Sequence, residues 1–173
     1  MCVIIVKKAG VEMPGLNILR AANYLNGDGM GFISDSSHMR TMNFDRFIKR
    51  LQTVKKEENC IIHFRLATHG SVRVRNCHPF KHGDLYFFHN GVLPISTHDD
   101  MTDSETAFKR WFVPVIENKG LFSQEATRVV ESIRANSRFA FYQNGQIRLF
   151  GLFESINGVL YSNTRFMRFV TNV

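Results

Sequence analysis

The sequence lacks a long hydrophobic run. No apolar stretch in its 173 residues approaches the roughly 20 residues that a membrane-spanning helix requires. The apolar N-terminal stretch is short and precedes its lysines, whereas a secretory signal begins with positive charge. We therefore expect a cytoplasmic protein without a membrane partner.

Cysteine is also scarce. The three cysteines, Cys2, Cys60 and Cys77, are too few and odd in number to suggest a disulfide framework. Reduced thiols in a reducing compartment are the simpler interpretation.

Blocks of like charge are absent despite a net charge of +7. The basic residues are scattered, and no block exceeds two residues, as at Lys7-Lys8 and Lys55-Lys56. This pattern is more typical of a solvated surface than of a binding stripe, so nucleic acid is not an expected partner.

Repeats, low-complexity tracts and linkers are missing too, which predicts a single domain over residues 1–173. Sixteen phenylalanines suggest that the core is rich in this residue. Hydrophobic periodicity and turn residues predict an α+β chain with largely antiparallel sheets. The predicted strands are 2–7, 31–34, 38–42, 59–67, 84–89, a hairpin around Asn144-Gly145, and 158–163. The predicted helices are 15–25, 44–53 after an Asn43 cap, one from a Ser104 cap to about 117, and one from a Ser123 cap to about 134.

The first candidate for chemistry is Cys2. Methionine before a small residue is normally removed, which would place a thiol and a free α-amino group on one residue. Their ordinary pKa values, about 8.5 and 8, are well matched for a nucleophile and its base. Taken alone, Cys2 is better explained as a small apolar residue that opens a core strand.

The second candidate lies in the segment HFRLATHG, residues 63–70. Strand alternation places His63 and Arg65 on one face, and Phe64 and Leu66 on the other. An arginine in so apolar a strand needs a carboxylate partner, from the protein or from a substrate. Either a structural ion pair or a substrate site satisfies this requirement.

Two further motifs have ordinary explanations when each is considered alone. His89-Asn90-Gly91 after an aromatic strand is usually a turn, although an amide and an adjacent backbone N–H could hold an oxyanion. Thr102-Asp103-Ser104-Glu105 is typical of a helix N-terminus, although its carboxylate could also bind a substrate ammonium group.

The order and number of these motifs are more informative than any one of them. An N-terminal MC is followed by H-x-R-x-A-T-H-G, N-x-H-P-F at residues 76–80, H-N-G and T-D-S-E. With the D-G-x-G element at residues 28–31, this series resembles the class II, N-terminal-nucleophile glutamine amidotransferases, especially their short stand-alone branch. The resemblance covers residues 1 to about 110, and the rest of the chain carries no motif that we can match.

The resemblance implies a role for each matched residue. Cys2 would be the nucleophile and its freed amine the base, with Asn90 and the N–H of Gly91 forming the oxyanion hole. Arg65 would pair with the α-carboxylate of glutamine, assisted by Thr68 and His69. Asp103 would bind the α-amino group.

The resemblance also implies the four-layer αββα sandwich of N-terminal-nucleophile hydrolases and a reaction that releases ammonia from glutamine through a thioester. No cofactor and no metal are expected. A separate ammonia-accepting synthase is the expected partner. Leu66 stands where the family frequently has tryptophan, which bears on the choice of amide substrate.

Three other interpretations of the sequence remain open. Cys60, His63, His69, Cys77 and His78 cluster in sequence like metal ligands, but Cys60 and His63 face opposite ways in a strand and no C-x₂-C pair exists. The alternatives to a glutaminase are the same chemistry on another γ-glutamyl or amide substrate, and a catalytically degenerate binding module.

Overall fold

The computed structural model of the protein describes residues 1–67, 71–97 and 101–171. Its strands are β1 (Val3–Lys7), β2 (Met30–Ser34), β3 (His38–Thr41), β4 (Cys60–Phe64), β5 (Phe80–His82), β6 (Leu85–Asn90), β7 (Arg138–Gln143), β8 (Gln146–Phe150), β9 (Glu154–Ile156) and β10 (Val159–Tyr161). Its α-helices are α1 (Leu16–Leu25), α2 (Phe44–Leu51), α3 (Asp103–Ala107), α4 (Val113–Lys119) and α5 (Gln124–Arg134).

The strands form two antiparallel sheets. The first has the order β3-β2-β4-β1-β10-β9, and the second has the order β5-β6-β7-β8. Strand β1 is central to the first sheet, and all five of its residues are buried. A continuous β-branched run such as VIIV suits a strand that is covered on both faces.

Alternation along β1 divides its side chains between two apolar layers. Val3 and Ile5 join a cluster with residues of α1 and α2 on the outer face of the first sheet. Ile4 and Val6 point the other way and join a cluster with Phe88 of the second sheet. The two sheets therefore pack face to face, with helices outside the first sheet.

The second sheet repeats this arrangement in mirror order. Phe87, Phe139 and Phe141 pack outward against helical residues that include Phe108 and Phe112. The rings of Phe87 and Phe108 are stacked with centroids 5.5 Å apart. The four layers are helix, sheet, sheet and helix, so the predicted α+β αββα class is confirmed.

Two predicted helix caps are confirmed, and one is wrong. The side chains of Asn43 and Ser123 accept backbone N–H bonds at the starts of α2 and α5. Helix α3 is capped by Thr102 rather than Ser104, since Thr102 Oγ1 accepts the N–H of Glu105 at 3.1 Å. The helix predicted to reach 117 is also divided by a π-helical turn over Phe108–Phe112.

The strand predictions were wrong in two further respects. The 59–67 strand ends at Phe64, which lies opposite Val3 and Met30 in the ladders of β1 and β2. Strands β5 and β9 were not predicted, because each is only three residues long and β9 is exposed. Among the residues that the structure describes, no helix is long and apolar enough to cross a membrane.

The sheets bring four predicted site residues to one edge of the molecule. Cys2 precedes β1, and Arg65 follows β4 on the neighbouring strand. These two converge because antiparallel neighbours begin and end at the same edge. Asn90 ends β6 in the second sheet, with Gly91 directly after it, and the packing of the two sheets brings them to this edge.

Candidate active site

One pocket lies at this edge of the sandwich. It encloses about 40 Å³, room for a few water molecules. Its lining residues are Cys2, Arg65, Leu66, Ala67, Asn76, His78, His89, Gly91, Thr102, Asp103 and Ser104. The pocket thus contains a thiol, a guanidinium group and a carboxylate.

The thiol of Cys2 packs against the backbone of Leu66. The N–H of Leu66 donates to Sγ at 3.4 Å, and the thiol donates to the Leu66 carbonyl at 3.5 Å. Burial raises the pKa of the Cys2 thiol, while the Leu66 hydrogen bond, the charged N-terminus and Arg65 act in the opposite direction. Met1 still precedes Cys2, so the nitrogen of Cys2 is an amide here.

Arg65 is a buried cation at the wall of this pocket. Its side chain is 4% exposed, and Nη1 donates to the carbonyl of Ser71 at 3.2 Å. The same carbonyl accepts from Asn76 Nδ2 at 2.9 Å. Residues of the N-x-H-P-F motif therefore help to fix the chain beside Arg65.

The D-G-x-G element holds the backbone on either side of Arg65. The Asp28 carboxylate accepts the N–H of Ala67 at 2.8 Å, and the Asp28 N–H donates to the Arg65 carbonyl at 3.0 Å. A Cβ at Gly31 would overlap the carbonyl of His78. Gly31 therefore allows the N-x-H-P-F segment to approach β2 closely.

Asn90 and Gly91 lie side by side but face different surroundings. Gly91 lines the pocket with a φ of +151°, and a Cβ there would overlap Ser137 Oγ. Asn90 is 1% exposed, and its Nδ2 donates to Ser162 Oγ at 2.9 Å. Of this predicted oxyanion pair, Gly91 lines the pocket, whereas Asn90 is not among its lining residues within the described part of the chain.

Asp103 lines the pocket at the start of α3. One carboxylate oxygen accepts the N–H of Leu93 at 2.8 Å, and the other accepts the N–H of Ser104 at 2.7 Å. These bonds tie the chain that follows Gly91 to α3 and fix the carboxylate. Arg65 and Asp103 thus place opposite charges around one cavity.

Sequence reasoning missed the network that surrounds His89. Its Nδ1 is 2.7 Å from Ser104 Oγ, and its Nε2 is 2.9 Å from Ser137 Oγ. Burial lowers the pKa of His89 to about 4, against the opposing charge of Asp103. His89 stood in the H-N-G motif and could have been singled out, whereas nothing in the sequence marked Ser137.

Two more histidines are buried beside the pocket. The rings of His63 and His78 lie 4.3 Å apart, and His63 Nε2 donates to the His89 carbonyl at 3.0 Å. Burial lowers the pKa of His63 to about 3, and burial followed by the charges of His63 and His89 lowers that of His78 well below its ordinary value. All three histidines are therefore neutral near pH 7.

The possible metal ligands do not converge within residues 1–67, 71–97 and 101–171. No group of three or more His, Cys, Asp or Glu among them is arranged to hold a metal ion. Cys60 packs in the outer cluster, whereas His63 points between the sheets, as strand alternation predicted. His69, together with Thr68 of the predicted substrate site, lies outside the described residues.

Comparison with known protein families and structures identifies relatives of this chain. Residues 21–147 match the family of class-II glutamine amidotransferases. The chain belongs to the class II glutamine amidotransferases. A comparison with curated protein sequences gave no significant match.

The fold of this class II amidotransferase is also found among solved structures. It is similar to glutamine phosphoribosylpyrophosphate (PRPP) amidotransferase from B. subtilis, solved in complex with ADP and GMP, with a TM-score of 0.62 and 17% identity. The match covers 99% of this chain and 44% of that one. The class II amidotransferase chain therefore spans less than half the length of that relative.

The pocket of this class II amidotransferase combines a thiol with two opposite charges. Cys2, Arg65 and Asp103 line it together with Gly91. One cation and one anion suffice to bind an amino-acid zwitterion and leave its side chain directed at the thiol.

Proposed function

We propose that this chain, once Met1 is removed, uses Cys2 to release ammonia from the side-chain amide of glutamine. The observation that carries the proposal is that Cys2, Arg65, Gly91 and Asp103 line one pocket although they are far apart in sequence. Family membership supports chemistry on glutamine in general.

The proposed substrate orientation follows from the two charges. The α-carboxylate of glutamine pairs with Arg65, whose planar guanidinium suits a carboxylate. The α-ammonium group pairs with Asp103, whose oxygens are already aligned by the N–H groups of Leu93 and Ser104. Thr68 and His69 assist Arg65 in this proposal.

The proposed reaction begins with proton transfer from the Cys2 thiol to its own α-amine. Sulfur then attacks the carboxamide carbon, and the developing oxyanion accepts hydrogen bonds from the Gly91 N–H and from Asn90 Nδ2. Ammonia leaves with the proton returned by the Cys2 ammonium, which produces a γ-glutamyl thioester. Water then hydrolyses the thioester to glutamate and restores the thiol.

Removal of Met1 is central to this mechanism for a physical reason. Burial raises the pKa of the Cys2 thiol, and an amide nitrogen cannot take up its proton. A free α-amine, with an ordinary pKa of about 8, supplies a matched base on the same residue.

The experiment combines intact mass spectrometry with glutamine turnover. The mature protein should lack Met1, a glutamine-like electrophile should label Cys2, and glutamate and ammonia should form in equal amounts. Cys2→Ala should abolish turnover while the protein stays folded. Cys60→Ala is the matched control, because Cys60 packs in the outer cluster away from the pocket.

Retention of glutamate release by Cys2→Ala would end the proposal. Labelling of Cys2 without turnover of glutamine would favour another γ-glutamyl or amide substrate. Absence of both labelling and turnover in a protein that has lost Met1 would favour a degenerate binding module.

We further propose that residues 1–173 act as one cytoplasmic domain and pass ammonia to a separate synthase. One cooperative unfolding transition would support the single domain, and two separate transitions would argue against it.

A further inference from the structure

The residue pair Ser162-Asn163 follows β10 and contacts both β1 and Cys2, the candidate nucleophile that directly precedes β1. The Ser162 N–H donates to the Ile4 carbonyl at 2.9 Å, and Ser162 Oγ accepts the Ile4 N–H at 2.8 Å. Asn163 Nδ2 donates to the Cys2 carbonyl at 2.7 Å. This pair therefore fixes the backbone on which the Cys2 thiol is carried.

The same Ser162 hydroxyl also reaches the second sheet. Its oxygen accepts from Asn90 Nδ2 at 2.9 Å, and Ser162 and Asn90 are 4% and 1% exposed. One buried oxygen thus joins the first strand of one sheet to the end of β6 in the other. A hydrogen bond to Nδ2 restricts rotation of the amide and therefore the direction of its second N–H.

Pairing of β10 with β1 accounts for only one of the two bonds that the Ser162 hydroxyl accepts, the one from the Ile4 N–H. The ladder already aligns Ile5 with Tyr161 and Val6 with Leu160, and the Ser162 N–H continues it to the Ile4 carbonyl. A serine side chain adds to this pairing only through its oxygen, and that oxygen is shared with Asn90.

We propose that Ser162 is a positioning residue that orients Asn90 relative to Cys2. This inference rests on the proposed function, because the direction of the Asn90 amide matters for turnover only if Asn90 stabilises the oxyanion. Transition-state stabilisation depends on donors that are fixed before charge develops, and small misplacements are costly. Ser162 acts through Asn90 and does not line the pocket among the described residues.

A double-mutant cycle tests this inference in the mature protein. Ser162→Ala should lower kcat roughly tenfold, the size expected for one net hydrogen bond, with KM within about twofold. Asn90→Ala should lower kcat by about 10²–10³. The double variant should match Asn90→Ala in kcat, because the inference assigns the effect of Ser162 on turnover to Asn90 and not to the Ile4 N–H that the same hydroxyl accepts.

Two further variants separate positioning from general loss of stability. Ser162→Thr keeps the hydroxyl and should retain most of kcat. Ser34→Ala removes another buried serine hydroxyl, at the end of β2 far from the pocket, and should leave kcat unchanged. Losses that multiply in the double variant, or an unchanged kcat in Ser162→Ala, would overturn the inference.

A readout without turnover keeps this inference separate from the proposed function. The side-chain amide NMR signal of Asn90 can be assigned by its disappearance in Asn90→Ala. Its hydrogen exchange should be slow in the parent protein and in Ser162→Thr, and roughly tenfold faster or more in Ser162→Ala. Equal exchange rates in the parent, Ser162→Thr and Ser162→Ala would refute the positioning role of Ser162, even if the parent protein hydrolyses glutamine. Faster exchange in Ser162→Ala than in the parent, in a protein that does not hydrolyse glutamine, would support the positioning role of Ser162 and refute the proposed function.

Discussion

Residues 1–110 and residues 111–173 contribute to the candidate site in different ways. The first segment contains all seven histidines and all three cysteines, together with every motif of the family resemblance. The second contains no histidine or cysteine, yet its Ser137, Ser162 and Asn163 bond to His89, Asn90 and Cys2.

The two segments thus differ in kind: residues 1–110 supply the groups that can react, and residues 111–173 supply groups that hold them in place. Thiol, guanidinium and carboxylate groups are few, and their chemistry marks them in a sequence. A serine hydroxyl or an asparagine amide has many structural uses, so its role depends on its neighbours in space. Three experiments test whether the two segments divide in this way.

The largest effect is expected when the pH is lowered: the free energy of unfolding should fall, and the responsible histidines lie in residues 1–110. His63, His78 and His89 have lowered pKa values because they are buried. Since the unfolded chain then binds more protons, the free energy of unfolding should fall as pH drops from about 6.5 toward the folded values, about 4 for His89 and about 3 for His63. Each such histidine contributes roughly 1.4 kcal/mol per pH unit within this window.

Urea denaturation at several pH values between 7 and 5 measures this dependence. His78→Gln should reduce the slope by roughly one proton, or about 1.4 kcal/mol per pH unit. Phe88→Leu, which changes a neighbouring ring 6.5 Å from His78, should lower stability equally at every pH. A free energy of unfolding that stays constant from pH 7 to 5 would contradict the prediction.

An intermediate effect is expected at Asp103, a motif residue that we assign to the substrate. Asp103→Asn removes the negative charge, while its amide oxygen can still accept the N–H of Leu93. The KM for glutamine should rise roughly 10- to 100-fold, the range for a charge-assisted hydrogen bond, with a much smaller change in kcat. Steady-state kinetics measure both constants.

Asp84→Asn is the control for this substitution, because Asp84 is exposed and accepts from Gln143 away from the pocket. It should leave KM unchanged. If Asp103→Asn also leaves KM unchanged, Asp103 serves only to hold the N-terminus of α3.

The smallest effect is expected at Asn163, in the segment without motifs. Asn163→Ala removes the bond from Nδ2 to the Cys2 carbonyl, and kcat should fall roughly 2- to 10-fold, as for one hydrogen bond. Asn59→Ala provides the comparison, since Asn59 also links distant segments through its amide but lies beside Cys60 at the far end of β4. Equal kcat values in the two variants would show that Asn163 contributes only to the fold.

The sequence predicted much of the fold because the relevant signals were local. The alternation of VIIV and the caps at Asn43 and Ser123 depend on residues within a few positions of one another. The cap of α3 was predicted incorrectly because Thr102 and Ser104 are equally suitable in sequence. The Ser104 hydroxyl forms a hydrogen bond with His89 instead of capping the helix, and only the tertiary structure reveals this bond.

By itself, the sequence determined which reactive groups the chain possesses and which face of each strand carries them. The tertiary structure decided that Cys2, Arg65, Gly91 and Asp103 share a pocket, and that Ser162 joins Asn90 to the first strand. The physical reason is distance along the chain. Antiparallel pairing and sheet packing bring together residues as far apart as Cys2 and Asn163, and no local periodicity encodes such a contact.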